Sequence, residues 1–225
     1  VVGSDDETDV ALLRVRPERG SALPPLAALP FVADGVRAGQ LVLAVGSPFG
    51  LKNSVSLGVV SAAERQLDPD RPAVFVQTDA PIHPGSSGGP LVDLDGRVVG
   101  LSTFVMTRAA GGDGLGFAVP ASVVRRVADQ LRRDGRVRRG DIGVVAQTIT
   151  PTLGQGLQLA RDWGVILADV QPGRPADRAG VQIADRVLAV DGAPVSEAWQ
   201  FEAALDVRAV GDTVRLTLLR ADQLG

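Results

Sequence analysis

A mainly β chain that opens with a barrel and closes with a small mixed α and β domain is what the 225-residue sequence predicts. Three observations lead there. Up to residue 120, short apolar runs recur between glycine and proline breaks, at 10–15, 41–45, 54–61, 74–78, 91–93, 98–103 and 115–119, and regular short strands of this kind suggest a barrel. After Pro120 the hydrophobic period changes to that of a helix. Beyond Gly140 strand-like runs return at 142–147, 164–170, 186–190 and 213–219, mixed with short helical stretches at 175–179 and 196–206.

In the first part, Asp95-Gly96 lies between the apolar runs 90–94 and 98–101 and predicts a hairpin with a two-residue turn. In the helix, Val123, Val124, Val127, Ala128 and Leu131 share one face, while Arg125, Arg126, Arg132 and Arg133 lie elsewhere. The late arginines complement the helix dipole, and Gly135 is a natural stop. The run Arg136-Val137-Arg138-Arg139-Gly140 is the expected boundary. The organisation is therefore a first domain at 1–120, a connecting helix and linker at 121–139, and a second domain at 140–225.

Composition narrows the chemistry. The net charge of -3 gives no reason to expect nucleic acid as a partner. Without cysteine there are no disulfides or thiolate metal sites, and the single histidine, His83, argues against a His-rich one, so neither metal nor cofactor is expected. No apolar run is long enough to span a bilayer, and no leader pattern opens the chain. Lys52 is the one lysine, a coding bias from which no function follows.

The most informative stretch runs from Thr78-Asp79-Ala80-Pro81-Ile82-His83 through Pro84-Gly85-Ser86-Ser87-Gly88-Gly89 to Pro90-Leu91-Val92. A serine in a glycine-rich turn before a strand can expose its hydroxyl while backbone N–H groups converge into an oxyanion hole. This string resembles the active-serine segment of the HtrA/Deg family of trypsin-like proteases. The resemblance implies that Ser87 is the nucleophile and that the Gly85-Ser86-Ser87 turn is the oxyanion hole, with the N–H groups of Gly85 and Ser87 as donors. His83 and Ser86 stand where the family usually has asparagine. Upstream, the segment Thr8-Asp9-Val10-Ala11-Leu12-Leu13 is similar to the family's aspartate segment and implies Asp9 as the triad aspartate, orienting the histidine. Gly46-Ser47-Pro48-Phe49-Gly50-Leu51 is similar to the family's inter-barrel segment, and Gly114-Leu115-Gly116-Phe117-Ala118-Val119-Pro120 to its final strand. By the same resemblance Ser102, Thr103 and Phe104 pair with the substrate backbone, and Ile82 and Val105 line the pocket for a small aliphatic side chain.

The second domain resembles the PDZ domain that follows the protease in this family. Arg139-Gly140-Asp141-Ile142-Gly143-Val144 is similar to its carboxylate-binding loop, and Pro172-Gly173-Arg174-Pro175-Ala176-Asp177 and Ala184-Asp185-Arg186-Val187 follow in the family's order. Ile142, Gly143 and Val144 would hold a terminal carboxylate while the peptide adds a strand, and Phe201 and Leu205 would wall the groove.

The resemblance implies a trypsin-like double β-barrel, its first barrel incomplete here, followed by an α+β PDZ domain. It further implies an extracytoplasmic endopeptidase, periplasmic, secreted or membrane-anchored, that degrades unfolded proteins and forms homotrimers. The family's catalytic histidine lies upstream of the aspartate, so this chain is expected to be a fragment, inactive alone and short of the strand that closes the PDZ domain. Two other readings stand beside it: an inactive pseudoprotease serving as a PDZ adaptor, and a module that binds apolar protein termini without cleavage.

Overall fold

The computed structural model describes residues 1–17, 22–51, 53–68, 73–107, 114–159, 162–206, 208 and 210–220. Lys52 and residues 221–225 of the expected second domain lie outside them. The chain divides into two compact units, Val1–Arg65 with Val74–Val137, and Arg138–Gly225 with Gln66–Ala73.

The first unit opens with a two-stranded antiparallel sheet, β1 (Gly3–Asp5) and β2 (Val10–Leu12). A closed barrel follows, built from β3 (Leu41–Gly46), β4 (Ser54–Gln66), β5 (Val74–Thr78), β6 (Pro90–Val92), β7 (Val98–Met106) and β8 (Leu115–Pro120), in the order β3-β4-β5-β8-β7-β6. Strand alternation fills it. Val42 and Ala44 of β3 point inward, where they meet Val60, Val76, Leu91, Val99 and Ala118, while Leu41 stays exposed. The predicted two-residue turn is longer than expected: β6 ends at Val92, and residues 93–97 connect it to β7. The Asp93 carboxylate organises that connection by accepting from the N–H groups of Asp95 and Arg97 and from Arg97 Nε.

Helix α1 (Ala121–Asp134) ends at Gly135, which adopts φ 71° and donates to the Leu131 carbonyl, as the sequence predicts. It buries Val124, Val127 and Leu131 against Val10 of β2 and Val119 of β8. That contact fixes the start of β2, and with it the position of Asp9.

The second unit holds β9 (Val144–Thr148), α2 (Pro151–Gly156), β10 (Val165–Val170), α3 (Pro175–Arg178), β11 (Arg186–Val190), β12 (Ala193–Pro194), α4 (Ala198–Asp206) and β13 (Leu216–Leu219). Its antiparallel sheet runs β12-β11-β10-β9, with β13 also paired to β11, so β9 is an edge strand. Val165, Leu167, Val187, Val190, Phe201 and Leu205 form its core. Asp185 is almost fully buried, 1% exposed, and is held by two hydrogen bonds from Arg220. Chiefly because Arg220 bonds it, its carboxyl lies below the usual carboxylate value.

Candidate functional site

The serine turn is shaped by the backbone. Pro84 and Gly85 occupy the middle of a four-residue turn closed by Ser86 N–H donating to the His83 carbonyl at 2.9 Å. Gly85 has φ +100°, which the third position of a type II turn requires and which glycine alone adopts without strain. The carbonyl of the Pro84–Gly85 peptide accepts from Phe49 N–H at 3.2 Å, and the Gly85 carbonyl faces Ser47 N–H at 3.4 Å. In a trans peptide the N–H points opposite to the carbonyl. Holding the Pro84 carbonyl therefore turns the Gly85 N–H away from Phe49. Ser86, expected only to sit between the two donors, has its N–H spent inside the turn and its side chain 5% exposed. Gly85 and Ser87 remain the expected donors.

Thr103 joins two of the predicted residues. The exposed Ser87 hydroxyl donates to the Thr103 carbonyl at 2.8 Å, and the Thr103 hydroxyl donates to Asp9 Oδ2 at 2.8 Å. The register explains how one residue does both. Ser102 pairs with Ala118 and Phe104 with Phe117, leaving Thr103 as the extra residue of a bulge between β7 and β8. A bulge frees a residue from the ladder and re-aims its side chain. Asp9 sits at φ 57°, a conformation aspartate tolerates, in the turn between β1 and β2, where the Asp5 carboxylate accepts from Thr8 N–H and Oγ1.

The remaining expectations around the serine divide. Ser102 is bound to the serine turn: its N–H donates to the Gly89 carbonyl at 2.9 Å and its carbonyl accepts from Gly88 N–H at 2.7 Å. Both of its main-chain groups hold the serine turn onto β7. The Phe104 ring packs against Phe75 and Phe117, each at 5.1 Å between centroids. Ile82 is buried in the barrel core with Val105 packed against that cluster, which brings the two expected pocket residues together. His83 is exposed, with its ring 5.8 Å from that of Phe49, and the Ser87 hydroxyl bonds a backbone carbonyl instead of an imidazole.

The sequence reading missed two supports. One is the Thr103 hydroxyl, whose available signal was a hydroxyl pair, Ser102-Thr103, inside an otherwise apolar strand. The other is the Ser47–Phe49 backbone, read only as an inter-barrel connection. Asp79, beside the turn, is structural: its Oδ1 accepts from Val59 N–H at 2.7 Å.

In the second unit, Phe201 and Leu205 lie on α4 but are 1% and 9% exposed, packed in the core with Ile142 and Val144 against them. Gly143 is buried at the head of β9, its N–H donating to Asp141 Oδ1 at 2.7 Å, its carbonyl accepting from Gln171 N–H at 2.8 Å. The Ile142 carbonyl accepts from Ala176 N–H at 2.9 Å. Arg174 pairs with the other Asp141 oxygen. The Gly143 hydrogen bond, with Arg174 adding to it, holds the Asp141 carboxyl below its usual value.

Comparison with known proteins places both units in known families. A trypsin-like peptidase domain model matches residues 1–101 and a PDZ domain model residues 140–224. A protein of Halomonas elongata named as a periplasmic, DegP-like serine endoprotease is 41% identical over 220 residues, covering 98% of this chain but 45% of its own length. The chain thus spans less than half of that relative. The structure of the HtrA-type protease AlgW with a tripeptide superposes with TM-score 0.78 at 34% identity, covering 98% of this chain and 72% of that one. The serine endoprotease of Yersinia pestis gives TM-score 0.63 at 31% identity, with 98% and 70% covered.

Proposed function

Because the chain belongs to the HtrA family of trypsin-like serine proteases that carry a PDZ domain, we propose that Ser87 is the nucleophile of an extracytoplasmic endopeptidase acting on unfolded proteins. Ser87 Oγ attacks the peptide carbonyl carbon, and the resulting oxyanion takes the Gly85 and Ser87 N–H groups. A histidine carried outside this chain accepts the hydroxyl proton and passes it to the leaving amine, while Asp9 holds its tautomer. The second unit binds apolar C-terminal peptides as an added strand on the β9 edge. The domains of the protein are 1–120, the linker 121–139 and 140–225, and the assembled protein is a homotrimer.

The observation that carries this reading is the double use of Thr103, which ties the Ser87 hydroxyl and the Asp9 carboxylate to one residue. The chain's one histidine, His83, lies on the nucleophile's own turn. Alone, the chain is therefore inactive. In the longer protein, Ser87→Ala removes digestion of unfolded casein by about a million-fold while the fold persists, since one hydroxyl leaves a turn shaped by backbone bonds. Undiminished digestion by a folded Ser87→Ala protein would make another residue the nucleophile.

A further inference from the structure

The loop expected to receive a peptide carboxylate already holds a carboxylate of its own. Gly143 N–H donates to Asp141 Oδ1 at 2.7 Å, and the Arg174 guanidinium pairs with Asp141 Oδ2. Gly143 sits at φ 80° beneath the stem of Arg174, so close that a Cβ there would lie 2.2 Å from Arg174 Cβ. The loop carbonyls are committed as well, that of Ile142 to Ala176 and that of Gly143 to Gln171. The movable partner is the Asp141 side chain.

We propose that Asp141 is an internal stand-in for the ligand, capping the Gly143 donor so that an incoming C-terminal carboxylate binds only by displacing it. This deepens the peptide-binding reading proposed above and rests on it. Two like charges cannot share one N–H, so the Gly143 donor serves either Asp141 or the peptide terminus. Displacement is accessible, because the Asp141 and Arg174 side chains are 57% and 46% exposed and water can take over a solvent-exposed ion pair at little cost. Once Asp141 leaves, the Arg174 guanidinium remains beside the loop as a partner for the arriving carboxylate. Capping lowers apparent affinity in proportion to the fraction of molecules left open.

The test is fluorescence anisotropy on the 225-residue chain, using a fluorescein-labelled peptide ending in Val-Leu-Val as free acid and as C-terminal amide. Asp141→Ala should tighten binding of the acid about tenfold, as expected for a loop capped roughly nine-tenths of the time, and leave the amide unchanged within about twofold. Asp141→Asn, which keeps size and acceptor but not charge, should tighten it about threefold by the same relation. If Asp141 were only a turn-stabilising residue, its loss would loosen the loop and the sign would reverse. Unchanged or weaker acid binding by a variant with wild-type circular dichroism and thermal transition overturns the proposal; if Asp141→Ala does not fold, Asp141→Asn decides by the same sign. Acid preferred over amide equally in wild type and variants sinks the capping and leaves the peptide-binding reading intact. Failure of wild type and variants to bind either peptide sinks both.

Discussion

The serine turn and the carboxylate loop are both glycine turns built around backbone N–H donors, but different forces hold them. In the barrel, the turn is tied by neutral main-chain bonds: Ser86 to His83, Phe49 to Pro84, Gly88 to Ser102 and Ser102 to Gly89. In the second unit main-chain bonds also tie the loop, Ala176 to Ile142 and Gln171 to Gly143, but its Gly143 donor is taken by a charge, Asp141, which Arg174 pairs. A donor set fixed by neutral bonds is ready for an anion that appears only during reaction. One fixed by charge is tunable by pH and by competing ions. The barrel's own Asp93–Arg97 pair sits in the hairpin at 93–97 and does not hold the serine turn.

The largest effect expected from this contrast falls on Asp9, the carboxylate that accepts from the Thr103 hydroxyl. In the longer protein, Asp9→Asn should lower kcat by about 10⁴, because the amide donates where the carboxylate accepts and misplaces the histidine tautomer. Steady-state cleavage of a peptide substrate reads this, and a loss below tenfold would detach Asp9 from the triad. Gly85→Ala should cost about 10²-fold in kcat with KM little changed, since a Cβ at φ +100° strains the turn that aims one oxyanion donor. A KM defect of the same size would instead mark Gly85 as a substrate-contact position.

The smallest effect separates the units by stability. Asp185→Asn should cost the second unit about 2 kcal/mol, less than a fully buried pair because Arg220 is about a third exposed. Its melting temperature should fall by roughly 10 °C while that of the barrel stays. The Asp185 carboxyl is depressed in the folded state, so its contribution is complete above the unfolded value, about pH 4, and is lost as pH falls through the lower folded value. Calorimetry should therefore show the Asp185→Asn difference in the second unit's transition near neutral pH and its disappearance in acid, and a difference that persists below the folded value would contradict the assignment.

Much of the barrel was legible because its strands are bounded by glycine and proline and its helix carries a clean apolar face. The three-residue β1, Gly-Ser-Asp, was invisible because it is polar and exists only by pairing with β2. Helix α2 was hidden by Gly154 and Gly156, which lower helix propensity, although Thr150 caps it by accepting from Leu153 N–H. The serine turn could be read from local spacing. Thr103's role could not, because a bulge depends on the register of a partner strand. The bonds of Ser102 to Gly88 and Gly89 were unreadable for the same reason, since they arise from how the serine turn folds onto β7. Asp141's contact with Gly143 was legible in principle, since an aspartate readily bonds the backbone N–H two residues on.

The central claim is that this chain carries a formed serine turn without the base that activates it. A fluorophosphonate probe followed by intact-mass and peptide mapping tests it directly. The 225-residue chain should remain unlabelled at Ser87 on a timescale that gives stoichiometric Ser87 labelling in the longer protein carrying the histidine. Rapid stoichiometric labelling of Ser87 in this chain, abolished by His83→Ala, would contradict the account and make His83 the base.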